Sequence, residues 1–283
     1  MLAIISAMPD EINAIVQSLA EVTTRTLGHR QYHAGNFADT PVVVVFSGWG
    51  KVAAAATTTQ LIASYDVTDI VFTGVAGAVQ HGLAIGDVVV GSELIEHDMD
   101  ASPLFPRYEV PLLGKAMLAT DAGLRAKLHT AAEEFLRQDL AVAVPRSSRE
   151  WFRISSPRVI DGVIASGDQF IDSAEEIAEL RERLPNVACV EMEGAAVAQV
   201  CDEYSMPFGI VRTISDAADE NAPHDFVRFS REIAGQYSLG ILSRFLGYQA
   251  SAAADVVTTP RAGFARTSIG HVFTRCRAPR QPQ

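Results

Sequence analysis

The sequence predicts an α/β fold, in which helices pack against a central sheet. Short runs rich in β-branched residues alternate with longer stretches of helical periodicity over residues 1–249. The composition agrees with this fold class. The 283 residues are 48% hydrophobic but only 7% aromatic, and abundant Ala and Val favour close packing of helices on a sheet. In open α/β sheets, ligands bind at the carboxyl ends of the strands.

The first part of the chain carries clear strand and helix signals. Strands are predicted at residues 2–6, 32–37, 41–46, 69–73 and 87–95, and helices at residues 9–20 and 52–64. Pro9 suits the first turn of its helix, where a missing backbone donor costs nothing. The two strands at 32–37 and 41–46 are joined by three residues, which predicts a hairpin.

The second part continues the alternation. Helices are predicted at residues 121–138, 173–184, 193–204 and 225–247, and strands at residues 159–166, 188–192 and 208–214. Residues 145–158 are polar and predict a loop or insertion. Beyond residue 250 the periodicity ends, and a disordered tail is expected at 250–283.

Charge and cysteine content exclude several classes of protein. The net charge is −11, and the five Arg and one Asp of residues 250–283 give that segment +4, so the preceding residues carry −15. A nucleic-acid partner is therefore disfavoured. No apolar run reaches the ~18 residues of a membrane helix, and the start lacks a basic leader. Three unclustered cysteines exclude a disulfide framework and predict a reducing, cytoplasmic location.

Several common site motifs are absent from the sequence. It has no GxxxxGK[ST] phosphate loop, no dinucleotide fingerprint after the first strand and no GxSxG elbow. The best metal candidate is the run from His97 to Asp100, but adjacent side chains point in different directions, so no metal site is predicted. Two glycine turns, at residues 48–50 and 74–77, are either simple turns or places where the backbone approaches a ligand.

Carboxylates lie at the ends of three predicted strands. Glu11 follows the first strand, Glu191 and Glu193 lie where the strand at 188–192 becomes a helix, and Asp216 follows the strand at 208–214. Each acid alone is also a suitable helix cap or first-turn residue. Glu191 is as well explained by a structural role as by a functional one. Together with the glycine turns, however, the acids indicate a site in one crevice.

Seven stretches, in order, resemble the 5′-methylthioadenosine/S-adenosylhomocysteine nucleosidase family of the purine nucleoside phosphorylase superfamily. They are residues 5–11, 47–55, 73–77, 86–90, 166–171, 190–194 and 211–216. The resemblance covers about residues 1–247. It implies a three-layer αβα fold with a central mixed, twisted sheet. It also implies an N-glycosyl hydrolase that binds an adenine nucleoside, uses no cofactor or metal and forms a homodimer.

The resemblance also implies roles for individual residues. Glu11 matches the glutamate that activates the attacking water, and Asp216 the acid that protonates adenine N7. Met192 and Glu193 match the pair that contacts the ribose. The remaining matches are Phe170, which stacks on the purine; Ile171 and Gly77, which contribute backbone contacts; Arg212 and Ser215, which support the acid and the water; and Val75, Met8, Trp49 and Glu191, which are expected to complete the site.

Three other functions remain open at this stage: a phosphate-dependent purine nucleoside phosphorylase, a futalosine-type nucleosidase and a non-catalytic purine sensor. A phosphorylase needs cationic donors near the glycine turns, and neither turn contains arginine, which favours water as the nucleophile. The sequence departs from the family at Trp49, where a smaller aliphatic residue is common, and in the longer segment at about 98–158. Preference for the 5′-substituent is therefore left open.

Overall fold

A computed structural model of the chain describes residues 1–217 and 222–247. Within these residues, a mixed sheet lies between layers of helices, as the sequence predicts. The tail at 250–283, for which disorder is expected, lies outside the described residues.

Apart from β2 and β7, which the sequence did not predict, the strands lie close to the predicted positions. They are β1 (Leu2–Ser6), β2 (Ala20–Leu27), β3 (Arg30–Phe37), β4 (Thr40–Phe46), β5 (Asp69–Ala78), β6 (Val88–Glu96), β7 (Leu118–Ala119), β8 (Val159–Ser166), β9 (Val187–Glu191) and β10 (Phe208–Asp216). The central strands are rich in β-branched residues that are buried on both faces, as in the run of four valines at 42–45.

The helices connect these strands. They are α1 (Pro9–Gln17), α2 (Lys51–Ser64), α3 (Ala122–Glu134), α4 (Leu140–Ala143), α5 (Arg146–Trp151), α6 (Ala174–Arg183), α7 (Gly194–Glu203), α8 (Ala222–Phe229) and α9 (Gly235–Phe245). π-Helical turns at Phe135–Asp139 and Ser230–Ala234 interrupt the third predicted helix and the last one. None of the described helices is both long enough and apolar enough to cross a lipid bilayer.

The sheet topology brings several strand ends together. β1 lies between β4 and β5 and is parallel to both, and β5 is also parallel to β10. β6 pairs with β10 and β8, and β8 pairs with β9. β9 meets β5 only over the last residues of each strand, where Gly77 lies opposite Val190. Strands β5, β10, β6, β8 and β9 thus close into a ring, and the carboxyl ends of β5, β9 and β10 meet.

One local prediction was wrong. The first helix ends at Gln17, and residues 20–27 form the edge strand β2, which pairs with β3 and is almost wholly exposed. Because both faces of β2 meet water, the strand lacks the alternation of apolar and polar residues that identifies a half-buried strand. The segment at 145–158, predicted to be a loop or an insertion, contains the short helix α5, which starts after Pro145.

Candidate active site

All thirteen residues singled out from the sequence line one cavity. They are Met8, Glu11, Trp49, Val75, Gly77, Phe170, Ile171, Glu191, Met192, Glu193, Arg212, Ser215 and Asp216. The empty space inside the cavity, including the solvent at its open mouth, is about 620 Å³. It lies where the carboxyl ends of β5, β9 and β10 meet the start of α1.

Glu11 is held in the first turn of α1 by a set of donors. Its Oε2 accepts hydrogen bonds from the Ser6 hydroxyl and from the backbone N–H groups of Ala7 (3.2 Å) and Met8 (3.0 Å). Its Oε1 accepts from the Val75 N–H of β5 at 3.2 Å. Burial raises the pKa of Glu11, and the hydrogen bonds together with the nearby Arg212 charge oppose the rise. Glu11 is therefore fixed in position with its basicity increased by burial.

The glycine segment predicted as a turn at residues 74–77 lies inside β5, and its Gly74 makes room for this carboxylate. A Cβ on Gly74 would lie 3.0 Å from Glu11 Oε1 and 3.2 Å from Arg212 Nη1. Gly74 also lies directly opposite Arg212 in the pairing of β5 with β10. The sequence left open whether residues 74–77 are a simple turn or a place of close backbone approach. The structure supports close approach of the backbone to functional side chains.

Arg212 and Glu191 form a buried ion pair beside Glu11. Arg212 Nη2 lies 2.7 Å from Glu191 Oε2, and the guanidinium stacks on the Phe72 ring at 4.0 Å from its centroid. Glu191 also accepts hydrogen bonds from the Ser166 hydroxyl and from the Gly194 N–H at 2.9 Å. With these partners, Glu191 holds other groups in place, which supports the structural reading that the sequence left open.

Glu193 receives a hydrogen bond from the second glycine turn. The Gly50 N–H donates to Glu193 Oε1 at 2.8 Å, and Gly50 has a φ of +89°, a conformation that favours glycine. Burial, together with the nearby Glu191 carboxylate, raises the pKa of Glu193 to about 8. Glu193 is therefore a buried acid that can exchange a proton near neutral pH.

Asp216 lies at the last position of β10 and lines the same cavity as Glu11. It pairs in register with Gly77, two residues beyond Val75, whose N–H contacts Glu11. Two residues of a strand span roughly 6.6 Å. The Ser215 hydroxyl lies 2.7 Å from Asp216 Oδ2 and orients this carboxyl group. Two carboxyl groups therefore face one cavity from different elements.

Three aromatic side chains form one wall of the cavity. Phe226 of α8 makes edge-to-face contacts with Phe170, at 5.4 Å between ring centroids, and with Trp49, at 6.0 Å. Phe226 was not predicted as a site residue, because its place in an amphipathic helix predicts ordinary core packing. Gly74 was not predicted as a neighbour of Glu11.

A network of charges ties the Phe170 loop to the start of α2. Lys51 Nζ lies 2.6 Å from Asp98 Oδ1 and 3.1 Å from Glu96 Oε2. Asp98 Oδ2 accepts a hydrogen bond from the Asp168 N–H (2.9 Å), and Asp168 Oδ1 accepts one from the Lys51 N–H (2.8 Å). Asp98 was part of the best metal candidate in the sequence. It is instead bonded to Lys51 and to the loop that carries Phe170.

Comparisons with known proteins agree with this geometry. A family model described as "Phosphorylase superfamily" matches residues 1–247. The 5′-methylthioadenosine/S-adenosylhomocysteine nucleosidase of Shewanella frigidimarina is 34% identical over 225 residues, which are 80% of this chain and 90% of that protein.

Solved structures extend the agreement to three dimensions. The Neisseria meningitidis 5′-methylthioadenosine/S-adenosylhomocysteine nucleosidase, in complex with methylthio-immucillin-A, is similar with a TM-score of 0.75 and 32% identity over 87% of this chain and 97% of that one. A futalosine hydrolase of Helicobacter pylori is similar with a TM-score of 0.74 and 30% identity over 88% and 97%. The chain belongs to the 5′-methylthioadenosine/S-adenosylhomocysteine nucleosidase family of the phosphorylase superfamily.

Proposed function

We propose that this cavity hydrolyses the N-glycosidic bond of 5′-methylthioadenosine, S-adenosylhomocysteine or both, releasing adenine and a 5-thioribose derivative. As a member of its family the chain is an N-glycosyl hydrolase. We choose Glu11 and Asp216 as the catalytic residues because they are far apart in the sequence and yet line one cavity.

Glu11 activates the attacking water in this proposal. Among the described residues, only the Val75 N–H donates to its Oε1. A carboxylate oxygen has two lone pairs, so Oε1 keeps one for a water in the cavity. The raised pKa of Glu11 makes the carboxylate a stronger base. Its donors also keep it from rotating, which fixes the direction in which it removes the proton.

Asp216 protonates adenine N7 as the bond breaks. Cleavage builds negative charge on the leaving base and positive charge on the ribose, so a proton delivered to N7 neutralises the base as it leaves. General acid catalysis of this kind contributes roughly 10²–10⁴-fold. The Ser215 hydroxyl beside Oδ2 keeps the carboxyl group directed.

Glu193 and Met192 bind the ribose, and Phe170 and Ile171 bind the purine. Glu193 forms hydrogen bonds with the sugar hydroxyls, and in its ionised form it also stabilises positive charge on the ribose, as paired carboxylates do in glycoside hydrolysis. Phe170, supported edge-on by Phe226, offers a flat apolar surface for the base. Gly77 and Ile171 contribute backbone groups to the same slot.

The charge of the cavity favours water over phosphate as the nucleophile. Its described lining contains four acids, Glu11, Glu191, Glu193 and Asp216, and a single cation, Arg212. Arg212 is already paired with Glu191 at 2.7 Å. A phosphate dianion would therefore enter a site whose only cation is neutralised, which argues against a phosphorylase. Lys51, the cation nearest to the first glycine turn, is paired with Glu96 and Asp98.

The test is release of adenine, followed by ultraviolet absorbance, from the purified protein. We expect adenine from 5′-methylthioadenosine at the same rate with and without phosphate. Release that requires phosphate would overturn hydrolysis in favour of phosphorolysis. Binding of adenine without turnover of any purine nucleoside would indicate the sensor function.

The 5′-substituent is the finer point of the proposal, because a futalosine hydrolase is also among the similar structures. Relative kcat/KM values for 5′-methylthioadenosine, S-adenosylhomocysteine, deoxyadenosine and futalosine decide it. We expect the two thioethers to be preferred. A clear preference for futalosine would reassign the substrate while leaving the chemistry unchanged.

We also propose a homodimer in the cytoplasm, as the resemblance implies. Large apolar side chains that are almost fully exposed, Val52, Leu104 and Leu112, support burial by a second copy. Both described cysteines, Cys189 and Cys201, are free, which suits a reducing compartment. Light scattering of the eluted protein should give twice the 30.4 kDa chain mass, and a monomer would refute the dimer.

A further inference from the structure

Helix α5 lies in the segment at 145–158, to which the sequence analysis assigned no role, and its side chains contact α8. α8 carries Phe226, which supports the purine-stacking Phe170 and touches Trp49. The position of this aromatic wall therefore depends on what holds α8 in place. Three contacts from α5 and the residue after it reach α8 and the π-helical turn that follows it.

The first contact is a stacked cation. The guanidinium of Arg228 lies over the Trp151 ring, with Cζ 3.8 Å from the ring centroid. Trp151 is 48% exposed, so its ring is not explained by core packing alone. A cation over an indole face is the strongest of the cation–π pairs.

The second and third contacts are on either side of this stack. The Phe152 ring packs edge-to-face on the Phe229 ring of α8, at 5.4 Å between centroids. The Ser148 hydroxyl donates to Glu232 Oε2 at 3.0 Å, and Arg228 Nε donates to Glu232 Oε1 at 3.0 Å. Glu232 therefore joins α5 to the same arginine that Trp151 covers.

We propose that Trp151, Ser148 and Arg228 are positioning residues that hold α8, and thereby Phe226, against the purine slot. The inference rests on the proposed function, since it assigns the segment at 145–158 to recognition of the base. Two side chains of α8 contact different neighbours. Phe226 contacts Phe170 in the cavity wall, and Arg228 contacts Trp151 of α5. α8 is thus clamped between the ligand wall and α5.

We call the contacts of Ser148 and Trp151 with Arg228 and Glu232 the clamp. We expect the clamp to affect binding of the substrate more than the chemical step. Asp216 is placed by the pairing of β10 with β5, and Glu11 by α1 and β5. Neither depends on α5. The aromatic wall stacks on the base equally in the bound substrate and in the transition state. Loss of such uniform binding raises KM and leaves kcat unchanged.

The test compares W151A and R228A with R146A. Arg146 is on the same helix, but its ion pair with Glu150 faces solvent, so R146A is the matched control. We expect W151A and R228A to raise KM for 5′-methylthioadenosine roughly 3- to 10-fold, with kcat within about twofold of the wild type. W151F keeps an aromatic ring and should therefore retain the KM of the wild type. R146A should match the wild type in both constants. KM values equal to that of R146A, or losses confined to kcat, would overturn the clamp.

A second readout needs no turnover. The chain has two tryptophans, Trp49 and Trp151, so W151F leaves Trp49, which touches Phe226, as the sole indole fluorophore. We expect R228A in the W151F background to shift Trp49 emission, and R146A in that background to leave it unchanged. An unshifted emission in both refutes the clamp. Absence of hydrolysis by the wild type refutes the proposed function instead, and the emission still decides the clamp.

Discussion

Arg212 Nη2 lies 2.7 Å from Glu191 Oε2 in an ion pair whose two side chains are almost completely buried. The pair connects β10 with the end of β9, and Arg212 also lies close enough to Glu11 to oppose the rise of its pKa. Glu191 in turn accepts hydrogen bonds from the backbone N–H groups of Glu193 and Gly194 at the start of α7. The pair therefore acts as a support from which Glu11 and Glu193 are both positioned.

We expect R212M to destabilise the protein by about 3–5 kcal/mol, because it leaves Glu191 charged and buried without its partner. The double variant R212M/E191Q should lose less than the sum of the single variants, since neither charge is then uncompensated. Urea unfolding of the three variants measures this coupling. Additive losses would mean that the pair contributes no interaction energy of its own. K115M, which removes the exposed Lys115–Asp202 pair, is the control and should cost about 1 kcal/mol or less.

Gly74 is expected to be sensitive to a single methyl group. G74A places a Cβ 3.0 Å from Glu11 Oε1 and 3.2 Å from Arg212 Nη1, so the carboxylate must move. Small displacements of a reacting group cost up to about 10²-fold in rate, and we expect kcat to fall at least roughly tenfold with KM little changed. Steady-state kinetics with a thermal melt as folding control checks this. An unchanged kcat in a folded variant would show that Oε1 does not direct the water.

Glu193 should make the stability of the free protein fall as pH rises. Its pKa is about 8 in the folded protein, against an ordinary value of 4.5, so between these values the folded state holds a proton that the unfolded chain has released. The free energy of unfolding therefore decreases from about pH 4.5 to about pH 8. E193Q should reduce this dependence of stability on pH. A smaller decrease with pH should remain, because burial also raises the pKa of Glu11. Urea unfolding at intervals from pH 5 to pH 8 gives the slope. An equal slope in E193Q would contradict the assignment.

Most of the fold and most of the site could be predicted because their signals are local. Runs of β-branched residues predict β4 and β5, and each acid of the site follows a strand in sequence. Phe226 was missed because only its tertiary contact with Phe170 distinguishes it from a core residue. Strand β2 was missed because an exposed edge has no buried face to produce a pattern. The partners of Lys51 could not be predicted, because Asp98 and Asp168 are far from it in sequence.

Lys51 should affect binding of the base through the loop that holds Phe170. K51M removes the cation between Glu96 and Asp98. The two carboxylates then repel each other, which weakens the hydrogen bond that the Asp168 N–H donates to Asp98. We expect KM to rise several-fold, roughly 3- to 10-fold, with a smaller change in kcat. K51R should recover most of the affinity, and K115M, which removes an exposed ion pair elsewhere, should have none of the effect. Equal KM values for K51M and K115M would exclude this role.

Exchange of each proposed catalytic carboxyl group for its amide should remove opposite limbs of the pH–rate profile. A base must be deprotonated and an acid protonated, so kcat/KM should be bell-shaped in the wild type. E11Q should lose the acidic limb, which the raised pKa of Glu11 places above the ordinary 4.5. D216N should lose the basic limb, and each should fall roughly 10²–10⁴-fold in kcat. The amides preserve shape, and thermal melting checks that both variants fold. If D216N kept a rate near that of the wild type, the proton for N7 would have to come from another donor. If E11Q kept the acidic limb, that limb would belong to a different group, such as Glu193 with its pKa of about 8, and Glu11 would act by position alone.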